Sequence, residues 1–365
     1  MNTKIFLVLS LFITLILGAC QPSPSNRSND MAFDNVTYIH TFPEILSVQN
    51  KVEPNYDIIG IRSFAIYDSL LVLSTVNEKG LWTFLSLTSQ MHLGDFLAKG
   101  QGPFEFLWPP SVSNHVVFSI ENGLYAYIYD SQTGRLMKMD IDKSFETGKT
   151  EISIEKDSIP PFLFNFVMLD NSTFLCKEGN NRQTQQLRYI LNGDNTRETP
   201  TILQSLNGVE LREREDINIL STITKANQEN RKIVEMPIGL NYLNLYSQDG
   251  TFSKTICIGK QINSIEKIQD INRWDRLYTF ADLRLFKNFF GVLYINEDEK
   301  TYQTERSRLP SILLFDWDGE PLAEIKLDHF ITSFDIDFIN GELYTLDIHT
   351  DEFYKYNVQE IINKF

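Results

Sequence analysis

From residue 36 to the C-terminus, short runs of Ile, Val, Phe, Tyr and Thr are separated by turn-forming residues, the spacing expected of β-strands joined by tight turns. The clearest set lies at 61–67, 70–75, 81–87 and 91–97, with Asp68-Ser69 and Ser89-Gln90 at its hairpin turns. Four short antiparallel strands in a meander form one blade of a β-propeller. The pattern returns at 116–120, 124–129 and 136–141, and again at 162–169, 173–177 and 186–191. A fourth set shows only its second half, 242–246 and 252–258. A fifth occupies 283–286, 290–295, 311–315 and 322–327, and a sixth 334–338, 342–346 and 352–357.

First-hairpin turns fall at Asp68, Asn122, Asp170, Asn288 and Asn340. They are about 50 residues apart, except for a double interval after Asp170 that holds the fourth set. The expected fold is therefore all-β: a six-bladed β-propeller of four-stranded antiparallel blades, with seven blades as the other count. The sixth set has room for three strands, and residues 36–42 form an unassigned strand at the other end. Pairing of these N- and C-terminal strands would close the ring and remove its open edges. Two segments interrupt the repeats. The charge run 210–216 reads as a solvated loop or a partner-binding edge, and 296–309 as a solvated hairpin projecting from the fifth blade.

Between the first and second sets lies Gly100-Gln101-Gly102-Pro103-Phe104-Glu105-Phe106. Gly100 and Gly102 can take φ values that other residues avoid, Pro103 fixes its own, and Glu105 sits between two aromatic rings. The stretch reads as a hinge between two blades.

The first residues belong to a different pattern. A weakly positive start precedes an apolar run at 5–17 that ends in Leu17-Gly18-Ala19-Cys20. About 13 residues suit a signal-peptide core and fall short of a membrane span. The ending matches the bacterial lipobox, in which the Cys is acylated and becomes the mature N-terminus; an ordinary signal peptide with an incidental Cys is the other reading. The expected organisation is a signal peptide over 1–19, a Pro- and Ser-rich tether over 20–35, and a propeller over 36–365. Cys176 and Cys257 each sit in an apolar run and read as buried free thiols.

Composition narrows the partners. Hydrophobic residues at 42% and charged residues at 22% describe a globular chain, and 12% aromatics favour strands. A formal charge of -15 should repel nucleic acid, which is not expected as a partner.

A lipobox, six degenerate blades and a Gly-x-Gly-Pro-x-Glu-Phe hinge together resemble the TolB-like six-bladed propeller lipoproteins of the Bacteroidetes. Cys20, Gly100, Gly102, Pro103, Glu105 and Phe106 carry the resemblance, which spans essentially the whole mature chain. Phe104 stands where members commonly have Gly, a departure that leaves the turn intact. The resemblance implies a propeller in the cell envelope, lipid-anchored at the outer membrane. It implies little about activity, because fold does not fix function.

Catalytic patterns are sparse. His40, His92, His115, His329 and His349 are dispersed without metal-ligand spacing, and no Gly-x-Ser-x-Gly elbow occurs. Gly100-Gln101-Gly102 lacks the helix and Lys of a phosphate cradle. Asp335 and Asp337 share one strand face and read as turn and surface residues or as a catalytic pair. Trp82, Trp108, Trp274 and Trp317 either pack between blades or stack on a ligand. Residues 272–276 form the most suggestive polar-aromatic cluster, equally explained as an inter-blade loop. No cofactor is identified. The expected function is a binding or scaffolding module that recognises a protein, peptide or glycan with loops around the channel mouth. The alternative is a metal-dependent hydrolase or lyase whose carboxylates converge in the channel. Three or four converging Asp, Glu or Asn side chains would favour the enzyme, and an apolar or aromatic rim the binding module.

Overall fold

The computed structural model describes residues 30–54, 56 and 58–365; Cys20 and the signal-peptide stretch lie outside them. Two short strands, β1 (Val36–Ile39) and β2 (Glu44–Ser47), precede a ring of six antiparallel sheets. Blade 1 contains β3 (Ile61–Tyr67), β4 (Leu70–Thr75), β5 (Trp82–Ser86) and β6 (His92–Phe96). Blade 2 contains β7 (Val116–Ile120), β8 (Leu124–Asp130), β9 (Arg135–Asp140) and β10 (Glu151–Lys156). Blade 3 contains β11 (Asn165–Met168), β12 (Phe174–Gly179), β13 (Gln186–Leu191) and β14 (Arg197–Glu198). Blade 4 contains β15 (Thr222–Asn227), β16 (Lys232–Pro237), β17 (Tyr242–Ser247) and β18 (Ser253–Ile258). Blade 5 contains β19 (Leu277–Leu285), β20 (Phe289–Asp298), β21 (Ser311–Asp316) and β22 (Pro321–Lys326). Blade 6 contains β23 (Ser333–Asp337), β24 (Glu342–Asp347) and β25 (Glu352–Asn357). The first strand of each blade lines a central channel, and the chain then steps outward.

Neighbouring blades cover both faces of each sheet, so a middle strand such as β4 is buried at every residue and reads as a continuous apolar run. The core is accordingly a set of wedges between blades. Trp82 and Phe84 of blade 1 meet Met137 and Met139 of blade 2. Tyr129 of blade 2 stacks on Phe166 of blade 3 at 4.4 Å between centroids. Phe64 and Leu71 of blade 1 meet Tyr344 and Phe353 of blade 6 across the closing seam. Each fully buried side chain of this size contributes roughly 1.5–3 kcal/mol. Cys176 and Cys257 are free and buried, in separate wedges.

The half-blade that the apolar pattern does not reveal is β15 and β16. Lys225 and Glu235 interrupt their hydrophobic runs, and Glu235 is buried against Arg188 of blade 3, whose Nε donates to its two carboxylate oxygens at 2.9 and 3.0 Å. The two charged segments are not merely solvated either. Leu211 is buried, and Glu215 pairs with Arg276 at 2.9 Å. Arg306 reaches across to Asp347 of blade 6 at 2.5 Å and lies over the Phe330 ring.

The N-terminal segment corrects two expectations. Met31, Ala32 and Phe33, assigned by composition to the tether, are buried. Met31 lies against Arg188 and Phe33 packs edge-on to Tyr246, wedged between blades 3 and 4. The nearest open edge from there is that of blade 4, so β1 pairs in parallel with β18 rather than with blade 6. The chain continues as β2 in parallel with β22 of blade 5 and touches blade 6 only at the Val52–Lys355 bridge. It thus covers the outer edges of two blades and contacts a third.

The Gly100–Phe106 connector is built differently from a hinge. Neither Gly100 nor Gly102 adopts a left-handed φ. Glycine is needed because the Glu105 carboxylate folds over the turn and accepts the Gly102 N–H at 2.8 Å. A Cβ on Gly100 would stand 1.9 Å from Glu105 Oε2. Phe106 is buried in the wedge between blades 1 and 2, while Pro103 and Phe104 are exposed. Gly100→Ala should therefore displace the Glu105 side chain and cost about 0.5–1.5 kcal/mol, the worth of the lost hydrogen bond. Urea denaturation should give the Gly100→Ala/Glu105→Ala double variant the same stability as either single one; additive losses would disprove the clamp.

Candidate functional site: the central channel

The six first strands enclose a cavity of about 640 Å³. They run in the same direction, so one face of the ring carries their starts and the other their ends. At the end face the lining is mainly aromatic and apolar, with Tyr67, Phe118, Met168, Phe286, Phe338 and Ile339, and Asp68 and Gln228 stand among them. Tyr67 and Phe118 stack at 5.2 Å between centroids, and Phe286 meets Phe338 edge-on at 5.4 Å. Phe338 is 48% exposed and Ile339 56%, so this mouth presents apolar surface to solvent. Strand β7 is half-buried along its length, and the cavity reaches past it to Tyr127 and Leu136.

The interior is polar, and its charges come mainly from blades 4, 5 and 6. Arg284 on β19 donates from Nε to Asp282 at 2.9 Å, from Nη1 to Asp335 of blade 6 at 3.0 Å, and from Nη2 to the Phe64 carbonyl of blade 1 at 3.0 Å. Asp335 also accepts the Ile66 N–H of blade 1 at 2.9 Å. All three side chains are buried. Burial pushes the Asp335 carboxyl above its ordinary range, and Arg284 offsets part of that rise. Lys225 on β15 donates to the Leu283 carbonyl at 2.6 Å. Burial, reinforced by Arg284, lowers its ammonium to about 8, while Asp282 and Asp335 oppose the fall. Asn165 of blade 3 accepts from Thr222 and Thr224 of blade 4 at 2.9 and 3.2 Å. His115 borders the cavity, and burial lowers its imidazole.

The channel carboxylates Asp282 and Asp335 converge on the Arg284 guanidinium. Among the described residues no group of three His, Cys, Asp or Glu side chains is disposed to hold a metal ion. Asp335 and Asp337 take separate roles: Asp335 joins the Arg284 cluster, whereas Asp337 accepts the Ile339 and Asn340 N–H groups and so secures the turn after β23. Trp82 and Trp317 pack between blades and donate to the Pro110 and Lys287 carbonyls. Trp108 and Trp274 are exposed on the periphery, and neither lines the channel. Asp275 and Arg276 of the 272–276 cluster border a separate cavity of about 300 Å³. The Gly100–Phe106 connector also lies outside the channel. Arg284, Asp282 and Lys225 carry no local motif that would single them out; the only sequence signal is a charge inside an otherwise apolar run.

Residues 63–338 match the family model described as TolB-like 6-blade propeller-like. Two solved structures share the fold. A member of the DUF4221 family from Bacteroides vulgatus aligns with a TM-score of 0.50 and 11% identity, over 85% of this chain and 96% of that one. A Bacteroides fragilis protein described as exported aligns with a TM-score of 0.52 and 10% identity, over 88% and 98%. A search of functionally curated proteins returned no match. At such identities the likeness extends to the fold alone.

Removing the guanidinium would leave two buried carboxylates unpaired. Arg284→Met should lower unfolding free energy by about 3–5 kcal/mol in chemical denaturation. Adding Asp335→Asn should restore part of the loss, because it removes one of the stranded charges; a further loss in the double variant would contradict this account.

Proposed function

We propose that this chain, which belongs to the TolB-like six-bladed propeller family, is a binding module held at the envelope membrane by a lipid on Cys20. Its partner, a protein, peptide or glycan, would be recognised at the channel mouth without covalent chemistry. The observation that carries this reading is the aromatic mouth opening on a cavity of about 640 Å³ whose carboxylates are engaged by Arg284 and backbone N–H groups. A concave site with an aromatic mouth and fixed polar groups inside suits recognition.

The tether supports an orientation. Asp30 accepts the Ile265 N–H at 3.0 Å and a hydrogen bond from Tyr242, the first residue of β17. Strands alternate in direction, so β17 begins on the face where the channel strands start. A lipid joined through residues 20–30 would then leave from the face opposite the aromatic mouth, with the mouth turned away from the membrane.

Two experiments test these points. Cys20→Ser should abolish incorporation of labelled palmitate in growing cells and release the protein from the membrane fraction; persistent labelling would exclude acylation at this residue. A photoreactive phenylalanine analogue at position 338 should give a discrete cross-linked adduct in whole cells. The same analogue at the exposed outer-strand position 155 should not. Absence of any adduct from 338, or equal adducts from both, would remove the channel mouth as the recognition surface.

A further inference from the structure

The charged groups inside the channel are unequally satisfied. Asp282 accepts the Leu283 N–H on Oδ1 at 2.9 Å, and Arg284 Nε and the Phe334 N–H on Oδ2 at 2.9 and 3.2 Å. Asp335 accepts the Ile336 N–H on Oδ1 at 2.9 Å, and Arg284 Nη1 and the Ile66 N–H on Oδ2 at 3.0 and 2.9 Å. Each oxygen of these two carboxylates thus has a donor, and each guanidinium nitrogen has one acceptor; a third carboxylate, Asp68, stands in the lining at the mouth. Lys225 is held less completely. Its Nζ carries three donors and has one hydrogen-bond partner among the described residues, the Leu283 carbonyl. It has no carboxylate in ion-pairing contact, although it lines the cavity. The group that would complete this environment is an anionic acceptor, since a charge-assisted hydrogen bond is strengthened where water is excluded.

Lys225 precedes the end of β15 at Asn227 by two residues, so about 7 Å of strand separates it from the aromatic mouth. An acceptor at Lys225 would therefore carry an apolar body of a few carbons or one ring into the space between Tyr67, Phe118, Phe286 and Phe338. We propose that the channel is a binding site for a monocarboxylate with an apolar or aromatic body, its carboxylate received by Lys225 and its body by the aromatic mouth. This deepens the reading of the channel as the recognition site and rests on it.

The test uses three probes of one shape and different charge: 4-phenylbutyrate, 4-phenylbutanol and 4-phenylbutylamine. Each is titrated by saturation-transfer NMR into the full chain in lipid nanodiscs, with empty nanodiscs as the blank. The acid should bind about tenfold or more tightly than the alcohol, and the amine not at all. Lys225→Gln should weaken the acid by the same factor and leave the alcohol unchanged. Lys225 faces Arg284, Asp282 and Asp335, and its ammonium titrates at about 8, so the acid should also weaken as the pH is raised from 7 to 9. If Lys225→Gln does not fold, the comparison of the three probes on the unaltered chain decides alone. Equal binding of acid and alcohol would overturn the carboxylate site and leave the channel as a binding site. Binding of none of the three, with no adduct from position 338, would overturn both.

Discussion

The ring depends on how its first and last blades are joined. Blade 6 has three strands, and the N-terminal segment gives it one backbone bridge, Val52 to Lys355, so among the described residues no fourth strand completes its outer edge. Closure falls to the inner strands and the wedge behind them. Arg284 reaches from blade 5 to Asp335 of blade 6 and to the Phe64 carbonyl of blade 1, while Asp335 takes the Ile66 N–H. One guanidinium thus links three blades at the seam between the last and the first. Its planar fork suits this, since three nitrogens can point at three acceptors at once. Such a cluster is costly to break because a single missing partner leaves charge buried and uncompensated.

A second buried pair, Arg188 with Glu235, performs a similar task between blades 3 and 4, and Met31 of the N-terminal segment closes over it. Burial works to raise the Glu235 carboxyl, but Arg188 and Lys177 prevail and hold it below its ordinary range. Blades that meet through apolar wedges could slide against one another; buried ion pairs with backbone partners fix their register. The polarity of the channel interior follows from this stitching. The same side chains that fasten the ring set the chemistry of the space inside it: Asp282 and Asp335 are both held by Arg284, whereas Lys225 has one hydrogen-bond partner among the described residues.

Around the channel, the end face differs from the rest of the surface. Most apolar side chains are spent in the wedges, yet Phe338 and Ile339 remain exposed beside the Tyr67–Phe118 stack. The aromatic side chains of this mouth give it apolar surface on a chain whose formal charge is -15.

Sequence alone determined the strand count in blades 1, 5 and 6, because each strand there alternates with a turn over a short, local span, but it missed the outer strands β10 and β14. It also marked Cys176 and Cys257 as buried thiols, which they are, marked Cys20, outside the described residues, as the expected anchor, and read the glycines of the 100–106 connector as a hinge. The tertiary structure decided what those glycines are for: not a left-handed φ but space for the Glu105 carboxylate. It revealed the first half of blade 4, where Lys225 and Glu235 break the apolar pattern that marks a buried strand. It also sent residues 36–39 to the edge of blade 4, since Met31 and Phe33 first wedge between blades 3 and 4. The division has one physical cause. Hydrophobic periodicity and turn residues act between near neighbours in the chain, whereas a buried charge is tolerated only through a partner that may lie fifty or two hundred residues away, and that partner exists only once the ring has closed.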